Sequence, residues 1–230
     1  MKKVAFIGSY DKADMIICIA KLLTIMKKKV IVIDATALSK TRYIVPTMQS
    51  SKQYITTYEN VDVAIGFENF EQIKAYSSLS KTDELDYDYA LIDIDSYKGY
   101  YYFGIKPEDK KFFVTSFDLY SLRRGLQVLR KIPEPVEVKK VLFTKDMDPK
   151  ERQYLNFLSK GIKIKWDEDI VYFPFETSDL NAIYSNQRSG RIQLKGLSAT
   201  YIDGIEYLVE EISDASQGEV KKTVKILEKN

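Results

Sequence analysis

Two continuous apolar runs, Val4-Ala5-Phe6-Ile7 and Val30-Ile31-Val32-Ile33, are closed by Gly8 and Asp34, and the segment between them, residues 15–26, carries a broad apolar face. Runs rich in β-branched residues mark strands buried on both faces, as a parallel sheet requires. Two such strands joined by a helix form a right-handed βαβ unit. Residues 1–36 therefore commit the chain to layered α/β architecture. In that unit the loop after the first strand, residues 9–14, lies at the carboxyl edge of the sheet, where open α/β folds bind ligands.

The chain has 230 residues, enough for one α/β domain with a sizeable core. Apolar residues make up 45% and charged residues 30%, a globular composition. A net charge of +2 gives no reason to expect a nucleic-acid partner. The single cysteine, Cys18, excludes a disulfide framework and reads as a small core residue. The absence of histidine removes Ser-His-Asp and Cys-His catalysis and the commonest transition-metal ligand. Polar residues at 9–12 interrupt the first apolar run, so no signal peptide is expected, and no stretch approaches the ~20 apolar residues that span a bilayer. These features predict a cytoplasmic location.

Strands and helices alternate along most of the chain. Residues 54–58 and 61–67, around Glu59-Asn60, predict a hairpin or a bend between paired strands. A helix is expected over 68–79, and a buried strand over 89–92 that ends in Asp93-Ile94-Asp95. Residues 97–104 read as a tyrosine-rich loop. A strand over 111–116, a helix over 119–132 stopped by Pro133, and a strand over 138–144 follow. Asp148 and Pro149 predict a helix start, Gly161 a helix stop, and 163–166 and 170–173 two short strands. Helices over 177–186 and 197–213 close the pattern. The prediction is a single three-layer domain over 1–214, its mainly parallel central sheet flanked by helices, followed by a tail over 215–230.

As a phosphate loop, residues 8–14 are deficient. Such a loop needs glycines so that backbone N–H groups close around phosphate, a lysine for the β/γ-phosphates, and a hydroxyl for magnesium. Lys12 sits where that lysine would be, but Asp11 replaces the preceding glycine and Ala13 the hydroxyl residue. Asp11 and Asp14 also place negative charge against phosphate, costing about 1 kcal/mol in water and several in a drier site. The alternative reading of both is as first-turn residues that complement the helix dipole. Asp34, Asp93 and Asp95 all end predicted parallel strands, where carboxylates hold magnesium or simply form turns.

The order of elements resembles the ParA/MinD family of deviant P-loop ATPases. The likeness rests on residues 4–8 with the following helix, on Lys29-Val30-Ile31-Val32-Ile33-Asp34-Ala35 and on Tyr87-Asp88-Tyr89-Ala90-Leu91-Ile92-Asp93. Phe112-Phe113-Val114-Thr115-Ser116, leading to Leu122, is similar to the family's strand ending in Thr. Tyr172-Phe173-Pro174-Phe175 is similar to its late strand-proline segment. The likeness covers most of the chain in architecture, but the family's glycine-rich lysine loop is missing. Ile7 stands at the place of the intermonomer lysine, Lys12 matches the second lysine, and Asp93 the Walker B-type aspartate. The acidic pair after the second strand is reduced to Asp34, with Thr36 in the second place.

The resemblance implies a P-loop NTPase-like fold and a degenerate nucleotide site of Gly8, Lys12, Asp34, Asp93 and Asp95. ATP and magnesium would be its ligands, without hydrolysis, and no catalytic or metal-ligating residue is assigned. Within the family the chain resembles the TadZ/CpaE-like branch of bacterial pilus-assembly and localisation proteins, where atypical loops occur. The expected role is a scaffold or localisation protein acting through protein partners in a pilus, secretion or partition apparatus. A homodimer, if formed, would not depend on ATP. The alternatives are an atypical ATPase using Lys12, Asp34 and Asp93, and an enzyme with another small ligand in the same crevice. Tyr100, Tyr101 and Tyr102 are candidate interface residues, since clustered tyrosines are enriched at interfaces; the alternative reading of residues 97–103 is core or cover. The C-terminal residues 219–230 place Val220, Val224 and Leu227 on a narrow face without Phe or Trp, which argues against membrane binding.

Overall fold

The computed structural model describes residues 1–47, 51–80, 82–174 and 176–229. Phe175, the end of the expected strand-proline segment, lies outside the described residues, as do 48–50, Lys81 and Asn230 of the expected tail. The first half of the chain runs β1 (Lys2–Ile7), α1 (Ala13–Ile25), β2 (Val30–Asp34), α2 (Thr41–Ile44), β3 (Tyr54–Tyr58), β4 (Val61–Ile65), α3 (Phe70–Tyr76), β5 (Tyr89–Ile94) and α4 (Tyr97–Tyr102). The second runs β6 (Lys110–Thr115), α5 (Leu119–Arg130), β7 (Val136–Phe143), α6 (Pro149–Ser159), β8 (Ile164–Phe173), α7 (Thr177–Ser189), α8 (Ala199–Ser213) and α9 (Gln217–Lys229).

The strands form one sheet in the order β3-β4-β2-β5-β1-β6-β7-β8, parallel throughout except for β3 against β4. Period-two alternation divides each central strand between two cores. Val4 and Phe6 of β1 face a cluster shared with α1, α8 and α9, while Ala5 and Ile7 face one shared with α3, α5 and α6. Helices thus cover both faces, and continuous apolar runs such as β2, buried along its whole length, follow from that double burial.

Local signals set the boundaries. Glu59 and Asn60 both adopt positive φ (47° and 70°), as a two-residue I′ hairpin turn requires. Asp148 and Glu151 form a capping box ahead of α6, with Pro149 in its first turn. The two short strands expected over 163–173 are one strand, β8. It is an edge strand, so its polar centre around Asp167–Asp169 reaches solvent without ending the ladder, and an irregularity opposite Val138 and Lys140 of β7 absorbs the bend. Residues 97–104 also differ from expectation, for they open with a helix rather than a loop. Ser96 accepts from the Gly99 N–H at 3.1 Å and caps α4.

The segment 215–230 contains α9, whose Val220, Val224 and Leu227 are buried against α1 and α8. Lys139 of β7 is also buried. Its ammonium donates to Tyr207 Oη (2.6 Å) and Glu211 Oε2 (2.9 Å), and lies near Asp167 and Asp169, tying α8 to the β7–β8 edge. Among the described residues no helix is long and apolar enough to cross a membrane.

Candidate functional site

The parallel strands deliver the predicted residues to one edge. Asp34 and Asp93 are register partners on β2 and β5, and Gly8 follows β1, its N–H donating to the Ile94 carbonyl at 2.9 Å. Asp95 lies one residue beyond β5. Gly8 has φ +152°, and a Cβ there would collide with the Val114 carbonyl oxygen, so close approach of β1 to β6 requires glycine. Ile7, at the place where the resemblance puts an intermonomer lysine, is fully buried in the core.

The residues between Gly8 and α1 close around a cation of their own. Lys12 is buried, and its Nζ donates to the Gly8 carbonyl at 2.7 Å and reaches the Tyr10 carbonyl at 3.5 Å. The same ammonium lies 2.6 Å from Asp93 Oδ1. Burial pushes the Asp93 carboxyl up to about 7, against the pull of the Lys12 charge and with the help of the neighbouring Asp34. Above about pH 7 Asp93 is thus an internal anion where an incoming anion would meet Lys12.

The other two carboxylates hold backbone. Asp34 Oδ1 accepts from the Thr36 N–H (3.0 Å) and Thr36 hydroxyl (2.6 Å), and Oδ2 from the Thr41 N–H (3.0 Å). Asp95 accepts from the Ala37 N–H with both oxygens, at 3.1 and 3.0 Å. Together they fold the segment after β2 back over the edge. Beside it is a 420 Å³ crevice bordered by Asp34, Thr36, Gly66, Lys98 and Tyr102. Asp11 pairs with Lys40 at 3.2 Å. Asp14 accepts from Gln187 Nε2 at 2.9 Å, and burial pushes its carboxyl up to about 6, with Gln187 opposing and Asp11 adding to the rise.

The tyrosine trio divides. Tyr100 is buried, so for it the core reading replaces the interface one: α4 turns it onto the cluster beneath α3 and α5. Tyr101 and Tyr102 are exposed, 65% and 47%. Tyr100→Ser is expected to cost roughly 3 kcal/mol, and Tyr101→Ser or Tyr102→Ser less than about 0.5 kcal/mol. Urea unfolding of the three single variants separates these outcomes.

Sequence reading missed a second cluster at the same edge: Tyr10, Phe143, Glu176, Tyr184 and Gln187, which with Asp14 line a cleft of 240 Å³. Tyr10 and Phe143 have ring centroids 4.5 Å apart. The residues come from three distant segments, and no spacing rule joins them.

No protein-family model matches the chain, and no curated protein does. Solved structures do. A chain of the MinC:MinD cell division protein complex of Aquifex aeolicus superposes with a TM-score of 0.61 at 14% identity, covering 94% of this chain and 97% of that one. A ParA family ATPase from Chlorobium tepidum TLS gives 0.52 at 15% identity, over 97% and 96%. An McdA–ATP complex from Cyanothece gives 0.51 at 13% identity, over 94% and 97%. The chain has the ParA/MinD-type α/β fold, with an eight-stranded, mostly parallel sheet between two layers of helices.

Proposed function

We propose that this chain is a non-catalytic ParA/MinD-like scaffold or localisation protein that has lost ATP hydrolysis and works through protein contacts. The observation that carries the reading is the state of Lys12, held by Gly8, Tyr10 and Asp93 inside its own loop. A magnesium–nucleotide fits this edge poorly. The ammonium is already matched by a carboxylate, Asp34 and Asp95 are bound to backbone N–H groups, and Asp11 and Asp14 add repulsion. Ala13 offers no hydroxyl to a metal. MinD in the Aquifex complex is seen with MinC, and McdA in the Cyanothece structure with ATP. For this chain the protein-partner half of that pattern is the part we retain, in a bacterial pilus, secretion or partition apparatus of the TadZ/CpaE-like kind. With Ile7 buried in place of a bridging lysine, any dimer forms without ATP.

The test is calorimetric titration with ATP and magnesium beside a turnover assay. We expect no turnover above background and no change in sedimentation on adding ATP. Turnover near the ~1 per second typical of enzymes, abolished by Lys12→Ala, would instead establish the atypical ATPase that uses Lys12, Asp34 and Asp93.

A further inference from the structure

Resting on the reading of this chain as a protein-binding scaffold, we infer that the cleft between the β1–α1 loop, the end of β7 and α7 receives a basic side chain, arginine or lysine, from a protein partner. The first observation is charge. Asp14, Glu176 and Asp179 all line this cleft, and among the described residues none of them has an ammonium or guanidinium within ion-pair distance. Asp179 is held by the Ser198 N–H and hydroxyl, and Asp14 receives only a neutral amide. The nearby cations are committed elsewhere, Lys12 to Asp93 and Lys40 to Asp11. The cleft therefore presents carboxylates met by hydrogen bonds and by the N-terminal ends of α1 and α7 but, among the described residues, by no cation of their own.

The second observation is its walls. Tyr10 and Phe143 pack ring against ring on one side, and Tyr201 stands behind them. Aromatic faces beside carboxylates attract organic cations, guanidinium above all. The same carboxylates repel a polyphosphate. The volume, 240 Å³, lies below the ~300–1,000 Å³ of sites for drug-sized ligands and suits one side chain.

The third observation is the rim. Leu180 and Tyr184 of α7 are 43% and 48% exposed at the mouth of the cleft. Tyr43, Tyr101 and Tyr120, also exposed, leave the same carboxyl edge of the sheet from α2, α4 and the start of α5. An acidic pocket in a surface studded with tyrosine has the anatomy of a protein interface with one buried basic anchor.

The experiment titrates the full chain with a blocked Gly-Arg-Gly peptide, its citrulline counterpart and spermidine, following the ring resonances of Tyr10, Phe143 and Tyr184 by NMR. The arginine peptide is expected to shift these rings saturably and to bind roughly tenfold or more tightly than the citrulline peptide, the worth of a charge-assisted hydrogen bond. Glu176→Gln, at an exposed position, should weaken the arginine peptide to the citrulline level with melting unchanged. Asp14→Asn should do the same. Equal binding of both peptides, no binding at millimolar concentration, or indifference to Glu176→Gln would overturn the inference. Tighter binding of spermidine than of the arginine peptide would overturn it too, making a free amine the occupant. ATP turnover is read separately, so failure of the cleft leaves the scaffold reading standing, and ATP turnover removes that reading whatever the peptides do.

Discussion

Lys12→Ala is expected to destabilise the fold by about 3–5 kcal/mol at pH 8.5, because it leaves the buried Asp93 carboxylate without its cation. The effect should shrink on acidification, and the sign follows from linkage. Burial raises Asp93 from 3.8 to about 7 in the folded protein, so its contribution is fully present below pH ~4 and is lost as pH rises through about 7. Removing the ammonium raises that carboxyl further and extends the loss beyond pH 7, where the wild-type curve levels off. The two stability curves should therefore run close together at pH 5.5 and separate above pH 7. Urea unfolding at pH 5.5 and 8.5 measures this. An equal penalty at both values would mean that Lys12 acts by packing its stem rather than by pairing. The double variant Lys12→Met/Asp93→Asn should recover most of the loss, since a neutral pair of similar volume is often no worse than a buried ion pair.

That a lysine and an aspartate share this edge was legible from sequence; that they neutralise each other was not. The strands announced themselves because burial on both faces removes polar residues from them, and parallel direction then placed Asp34 and Asp93 at one edge. Strand order lay outside what periodicity carries, so the insertion of β5 between β2 and β1, which seats Asp93 beside Lys12, had no local sign. The hydrogen bond of Asp34 to Thr36 is local enough to be foreseen, since Asp followed two residues later by Thr favours an Asx-type turn, whereas its bond to the Thr41 N–H, seven residues on, is not. Helix α4 escaped notice because it is only six residues long and carries Gly99 in its middle, although Ser96 is an ordinary N-cap and Tyr97, Tyr100 and Tyr101 stand at i, i+3 and i+4. The acidic cleft escaped because Asp14, Phe143 and Glu176 are joined only by tertiary packing. Lys139 shows the same limit: a lysine within an apolar strand becomes intelligible only once Tyr207 and Glu211 of α8 are seen over it.

The segment expected as a tail, 215–230, holds α9, and one pair of adjacent residues measures what that helix contributes to the domain. The helix seats Val220, Val224 and Leu227 in the core beside α1 and α8, while Ile226 stays 51% exposed. Each buried side chain is worth ~1.5–3 kcal/mol, so together they rival the ~5–15 kcal/mol that holds a typical domain folded. Removal of residues 217–230 is accordingly expected to leave a chain that is unfolded or insoluble at 37 °C. Because truncation also changes solubility directly, the discriminating measurement uses neighbours on opposite faces of the intact helix. Leu227→Ala should cost about 2–5 kcal/mol. Ile226→Ala, at a side chain half in solvent, should cost under about 1 kcal/mol. Unfolding in urea reads both, and equal, negligible effects would show that α9 rests on the domain without supporting it. A large asymmetry bears on function as well. The apolar stripe that a lipid surface would need is already packed against α1 and α8, so membrane attachment through α9 would require unpacking part of the core.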